Sequence, residues 1–375
     1  MQIPLISTRT RIPMLALAIL ALLAAMWGGL IRLGWQFPPL DPVLTGVHGP
    51  LMVSGFLGTL ISLERAVALR ARWAYAAPGS SALGALVLIL GISPVAGSLL
   101  TTLGSLGMVA IFVVIVHRQP ALFTYTMALA AGMWFVGNLL WLSGLPLFYV
   151  VIWWSGFLVL TIVGERLELA RLRRLPLLSD RLFLIAVAIL SAGALATAIE
   201  AIAFPDSGST FGVRVAGAGM LALALWLLRY DITSRTVRQT GLTRFIALCL
   251  LSGYLWLAIS GLLRLFSPDI SSTNMYDATL HTVFLGFVMS MIFGHAPIIF
   301  PAVLGRPMTY HPIFYAHLVL LHLSLALRIM GDLGAGLSAR QWGGMFNVIA
   351  VLLFLYTTGR SVLIAARSQA VQARQ

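Results

Sequence analysis

Apolar residues in this chain run in blocks of about twenty, separated by short stretches that hold most of the arginines. A helix rising ~1.5 Å per residue needs about 20 mainly apolar residues to cross the ~30 Å hydrocarbon layer of a bilayer. Segments meeting that requirement lie near 12–34, 43–69, 73–95, 97–117, 120–142, 146–170, 181–203, 211–229, 242–268, 275–304, 309–331 and 338–366. The pattern predicts an all-α polytopic membrane protein with twelve transmembrane helices in one domain. The opening "TRTRIPMLALAILALLAAMWGG" imitates a signal peptide, but its apolar run is long enough to span, so it reads as a retained first helix.

Composition agrees: 60% of the 375 residues are hydrophobic and 9% are charged. The longest polar loops, about 230–241 and 266–274, are too short to be domains. A formal charge of +13 would suggest nucleic acid in a soluble protein, but the charges are sorted by side. With the N-terminus inside, Arg65, Arg70, Arg72, Arg118, Arg166, Arg171, Arg173, Arg174, Arg181, Arg229, Arg235, Arg238, Arg244, Arg306 and both tails fall on one side. Arg32, Arg214, Arg264, Arg328 and Arg340 fall on the other. This positive-inside bias predicts a protein of the bacterial cytoplasmic (inner) membrane with both termini cytoplasmic, and leaves the lipid bilayer, with no nucleic acid, as the partner of the charge. The single Cys249 allows no internal disulfide and no covalent c-type heme attachment. Trp35, Trp141, Trp153, Trp154 and Trp342 read as interfacial anchors.

The chain repeats itself. Ser54-Gly55-Phe56-Leu57, then Glu64-Arg65, Arg70 and Arg72, recurs as Ser155-Gly156-Phe157-Leu158, then Glu165-Arg166, Arg171 and Arg173. A weaker third copy has Gly286-Phe287 with His295 at the distance of the Glu. The related helices are the second, sixth and tenth, so twelve helices divide into three four-helix units, and such repeats place sites at their interfaces. The Glu-Arg pairs either neutralise each other at the helix ends or take up protons or ions.

Two histidines stand at equal depth near the outer ends of repeat-related helices, His48 in the second and His281 in the tenth. Equal depth is what two axial ligands of one heme iron need; the alternative for each is a helix–helix hydrogen bond. Arg32, Arg264 and Arg328 lie near the same outer ends, where a guanidinium can grip a heme propionate bidentately. Their alternatives are snorkelling, or pairing with Asp41, Asp269, Asp277 or Asp332. His317 and His322 on the eleventh helix are five apart and point ~140° away from one another, so they cannot clamp one ion. His322, near mid-helix, is the better candidate for a second iron or copper, and Met52 for thioether ligation of copper; packing or a hydrogen bond is the alternative for each. His117 and His311 fall at helix ends, and His295, beside Pro297 and Pro301, marks an irregular end of the tenth helix.

With twelve helices, a threefold plan and His48-Gly49-x-x-Met52 in helix two, the chain resembles the catalytic subunit I of heme-copper oxidases and nitric oxide reductases. It more closely resembles the NnrS family of heme- and copper-containing membrane proteins associated with nitric oxide stress. The matching residues are His48, Met52, Gly55 and Phe56, then Leu280, His281 and Gly286, and "LGRP" at 304–307. The resemblance implies heme b, with copper or a second heme as a further cofactor, nitric oxide as the diatomic ligand, and its binding, detoxification or reduction as the function. The chain departs from both patterns: Pro50 stands where NnrS proteins commonly carry a second histidine, and the helix-six and helix-seven histidines of the oxidase copper site are absent. A proton-pumping oxidase is therefore not expected. Whether the chain is an enzyme stays open, as does its electron donor. The alternatives are a cofactor-free proton-coupled transporter using the histidines with Glu64, Glu165 and Glu200, and a heme or copper maturation factor.

Overall fold

The computed structural model describes residues 8–38, 42–170, 176–267, 273–304 and 308–372. Arg171, Arg173, Arg174, Arg306 in the "LGRP" stretch, Asp41 and Asp269 lie outside the described residues. Among the described residues the regular structure is entirely helical, with no strand. The principal helices are α1 (Thr8–Arg32), α2 (His48–Leu69), α3 (Ala76–Ile89), α4 (Pro94–Arg118), α5 (Leu122–Leu142) and α6 (Leu147–Ala170). They continue with α7 (Leu177–Ala203), α8 (Phe211–Tyr230), α9 (Gly241–Phe266), α10 (Asn274–Pro301), α11 (Phe314–Ala335) and α12 (Leu337–Gln372). Eleven of these are long and apolar enough to cross a membrane, which makes the chain a multi-pass membrane protein.

The helix that does not reach spanning length is α3. The apolar run predicted a helix over 73–95, yet α3 has 14 residues, or ~21 Å. Local turn chemistry cuts it short. Gly91 takes a φ of 63°, and the N–H of Ile92 bonds back to the Val87 carbonyl at 3.2 Å, which closes the C-terminus in a Schellman turn. Ser93 then caps α4 by accepting from the Ala96 N–H at 3.2 Å, with Pro94 in the first helical position. Hydropathy averages over such a turn; glycine and serine decide it.

The chain divides into two compact units: Met1–Gly164 with Ala302–Leu304, and Glu165–Pro301 with Gly305–Gln375. In the first unit, α3 and α4 meet along small residues, where a Cβ added to Gly84 would lie 2.8 Å from Thr101 and one added to Gly104 would lie 2.2 Å from Ser81. In hydrocarbon, close backbone approach of this kind replaces the hydrophobic effect as the source of helix association. The second unit has the same kind of seam between α7 and α8, where Gly212 faces Thr197 and Gly193 faces Ala216.

Two expectations about particular residues change. Trp154 is not an interfacial anchor: it is 1% exposed, and its indole N–H donates to Asn138 Oδ1 at 3.0 Å. The tenth helix is not broken at its prolines, for Ser290–Leu304 continues as α-helix through Pro297 and Pro301. Each proline removes one backbone donor, which a helix packed inside protein tolerates. The irregularity of α10 lies earlier, directly after His281.

Candidate functional site

Both candidate heme histidines precede a stretch of π-helix. Leu51–Gly58 in α2 and Thr282–Met289 in α10 are each eight residues of π-helix, and Gly55-Phe56 and Gly286-Phe287 occupy the fifth and sixth positions of their segments. The third copy of the sequence repeat is therefore in structural register with the first. The second copy, in α6, is α-helical throughout. π-Helix is rare and concentrates at functional sites because it re-aims side chains at the cost of backbone geometry. In register, His281 falls two positions later than His48, opposite Pro50.

In the first unit, His48 is held by α1. Its Nδ1 lies 2.6 Å from the Ala25 carbonyl oxygen. A carbonyl only accepts, so Nδ1 carries the proton and Nε2 the lone pair. One turn further along α1, a Cβ on Gly29 would sit 2.9 Å from His48 Cε1 and 3.0 Å from Nδ1. Gly29 is thus the flat floor on which the imidazole lies. An Ala at an open helical position gains about 0.8–1 kcal/mol over Gly. Gly29→Ala is expected to lower the thermal midpoint instead, because the ring must move and its bond to Ala25 breaks. Gly132→Ala in α5, where nothing lies within 4 Å, is the control expected to raise it. Arg32, at the end of α1, is exposed and donates weakly to the Thr45 carbonyl at 3.5 Å.

In the second unit, His281 stands in a charged lattice. Its Nδ1 lies 2.8 Å from the Asp277 carbonyl oxygen and 3.3 Å from the same residue's Oδ1, so here too Nδ1 is the donor. Arg328 of α11 grips the Asp277 carboxylate bidentately, at 2.9 and 3.0 Å. Arg340 of α12 lies 2.9 Å from the fully buried Asp332 carboxylate and 3.8 Å from Asp277, and donates to Asn274 Oδ1 at 2.9 Å. Glycines make this possible: Cβ atoms at Gly331 and Gly343 would lie 2.4 and 2.5 Å from the backbone nitrogens of Arg340 and Arg328.

Arg264 differs from its neighbours. It is 3% exposed, and its Nε and Nη2 have no hydrogen-bond partner among the described residues. A bond from Ser260 Oγ to the Thr279 carbonyl, 3.2 Å, fixes the level of α9 against α10. Arg264 stands one turn to one side of that level and His281 half a turn to the other, ~9 Å apart in depth. A buried donor left unfilled costs about 1–3 kcal/mol, and a carboxylate is the group that fills a guanidinium fork.

On α11, His322 accepts the Trp256 indole N–H on Nδ1 at 2.9 Å, so Nε2 carries its proton and neither nitrogen offers a lone pair. This favours the hydrogen-bonding alternative for His322 over a second iron or copper. Trp256 packs on Gly286 of the π segment, where a Cβ would sit 2.5 Å from the indole. His317 has the opposite tautomer. The Thr357 hydroxyl gives its hydrogen to the Leu353 carbonyl at 2.9 Å and so accepts from His317 Nδ1 at 3.3 Å, which leaves Nε2 bare. That nitrogen has no partner among the described residues, and the rings of Phe245, Phe293, Phe314 and Phe354 surround the imidazole. No group of three or more His, Cys, Asp or Glu close enough to hold a metal ion occurs among the described residues.

The profile of a family described as a domain of unknown function, DUF8744, matches residues 11–363. The chain belongs to the DUF8744 family. No curated protein matches it.

In this DUF8744 chain the remaining sequence candidates take structural positions. Glu64 and Arg65 approach to 3.8 Å, as neutralisation at a helix end requires. Arg166 is held bidentately by Asp231 at 2.8 and 3.0 Å. Glu200, a candidate for a proton path, caps α8: it accepts the Gly212 N–H at 3.1 Å and the Ser209 hydroxyl at 2.6 Å. His117 and His311 are exposed at helix ends. The Asp277–Arg328–Asp332–Arg340 lattice was visible in the sequence only as alternative ion-pair partners, because its members come from three helices. His317 carried no signal beyond being a histidine in an apolar helix.

Proposed function

We propose that this protein binds heme b in the bacterial inner membrane through His48, His281 or both, and uses it to bind, detoxify or reduce nitric oxide. The carrying observation is the matched construction around the two histidines: each precedes an eight-residue π segment in the register of the repeat, and each has Nδ1–H tied to a main-chain carbonyl. Tying Nδ1 orients the ring and puts the lone pair on Nε2, and a metal-ligating histidine almost always donates its other ring N–H in this way. The residues fit the group in a second respect, since the orphaned Arg264 nitrogens suit a propionate carboxylate. Arg328 is committed to Asp277 and Arg32 is exposed, so Arg264 is the proposed propionate partner. When bound, heme supplies an iron that can ligate a diatomic or pass an electron. His322 presents no lone pair to copper or to the iron of a second heme. The nitric oxide assignment rests on the resemblance to NnrS proteins, whereas the proposed twelve-helix, three-unit plan rests on the apolar blocks and the sequence repeat, and the cytoplasmic termini on the arginine distribution.

Absorption spectra of the purified full chain, oxidised and reduced, with and without nitric oxide, test this reading. A Soret band that shifts with nitric oxide and disappears or shifts in His281→Ala or His48→Ala supports it. A colourless, folded protein overturns it in favour of a cofactor-free transporter. Substoichiometric, readily exchanged heme points instead to a maturation factor.

A further inference from the structure

We infer that Asp277 is a positioning residue that sets the donor strength of the His281 imidazole, with the Arg328–Arg340–Asp332 lattice holding it in place. The inference rests on the heme reading above but concerns this chain's own residues.

His281 and His48 are alike in donating Nδ1–H to a carbonyl, and at His281 a carboxylate oxygen, Asp277 Oδ1, also lies 3.3 Å from the same nitrogen. A carboxylate behind an imidazole draws on the Nδ1 proton, makes Nε2 more basic and stabilises a more positive metal. Asp277 has little freedom to do otherwise. Its two oxygens are engaged by Arg328, and Arg340 stands 3.8 Å from Oδ1, itself tied to Asp332 and Asn274. Two carboxylates face two guanidinium groups, so the formal charges of the lattice balance. The lattice fixes the geometry of Asp277 without adding a net formal charge beside the ring.

An ion pair that only joined α10 to α11 would need no imidazole beside it, and this separates positioning from structure experimentally. Asp277→Asn alone leaves Arg328 buried without its partner and is expected to destabilise the fold. The decisive protein is the double variant Asp277→Asn with Arg328→Met, because removing both members of a buried pair is often neutral. The full chain in detergent is titrated with hemin, and the midpoint potential of the bound heme is measured. The double variant is expected to melt near the wild type yet bind heme about 10–100-fold more weakly, the usual cost of losing such an outer partner, with a raised midpoint. Asp332→Asn, which spares the carboxylate at His281, is expected to move both readouts less. Wild-type heme affinity and midpoint in a folded double variant would overturn the inference while leaving heme binding intact. A wild-type protein that takes up no heme overturns both readings.

Discussion

Arg166→Met is expected to destabilise the second unit by about 3–5 kcal/mol, the cost of breaking a buried ion pair by removing one partner. Arg166 and Asp231 have side-chain exposures of 5% and 2%, and two parallel bonds of 2.8 and 3.0 Å join them. Asp231 Oδ1 also accepts the Thr233 N–H at 2.8 Å, which anchors the short helix Thr233–Thr236 after α8. Without the guanidinium, a carboxylate remains where water does not reach, held by one backbone donor. Asp231→Asn in the Arg166→Met background keeps an oxygen for Thr233 and removes the stranded charge, so the double variant should recover most of the loss. Thermal melts of the full chain in detergent, wild type against both singles and the double, give the coupling directly. Single variants that melt within a degree or two of the wild type would show that the pair is solvated in practice.

Asn138→Leu is the corresponding change in the first unit, with an expected loss of about 2–5 kcal/mol. The side chain of Asn138 is an acceptor for the Ser54 hydroxyl and the Trp154 indole, both at 3.0 Å, and donates to the Thr101 carbonyl at 3.2 Å. Ser54 in turn accepts the Trp134 indole N–H at 3.0 Å. One amide thus joins α2, α4, α5 and α6 without any charge. Interhelical hydrogen bonds within membranes average only ~0.6 kcal/mol each, which sets the lower end of the range. The upper end comes from the two orphaned donors, at about 1–3 kcal/mol each. The larger figure should prevail, because Ser54, Asn138 and Trp154 are all 0–1% exposed and no water reaches the abandoned groups. Asn138→Asp, which keeps the one acceptor oxygen but turns the donor to Thr101 into a second acceptor and adds a charge, should be no better tolerated than Leu; a milder result would mean that water enters the network. Tryptophan fluorescence reports the same event locally, through the loss of the Trp154 bond.

The Asn138 network marks a limit of what could be read from the chain. The Ser54 and Ser155 repeats were legible, but their meaning was not: Ser54 is a relay in a hydrogen-bonded chain, whereas the Ser155 hydroxyl has no partner among the described residues. Trp154 looked like an anchor because hydropathy places it near a helix end, while burial depends on which neighbours close over it. His322 and His317 illustrate the same limit at a single atom. Both are histidines on one apolar helix, but one accepts a hydrogen bond from Trp256 on Nδ1 and the other donates one to Thr357, so their remaining nitrogens differ in kind.

Block hydrophobicity by itself determined that this chain crosses a membrane many times as helices, since a backbone in hydrocarbon must satisfy its own polar groups. The same one-dimensional information located the repeat and the two histidines that stand beside its π segments. Tertiary structure alone decided which polar groups in those helices are paired. Partners such as Asp277 with Arg328, Arg166 with Asp231, and Ala25 with His48 are set by helices packing side by side, and that packing brings together residues from distant parts of the chain.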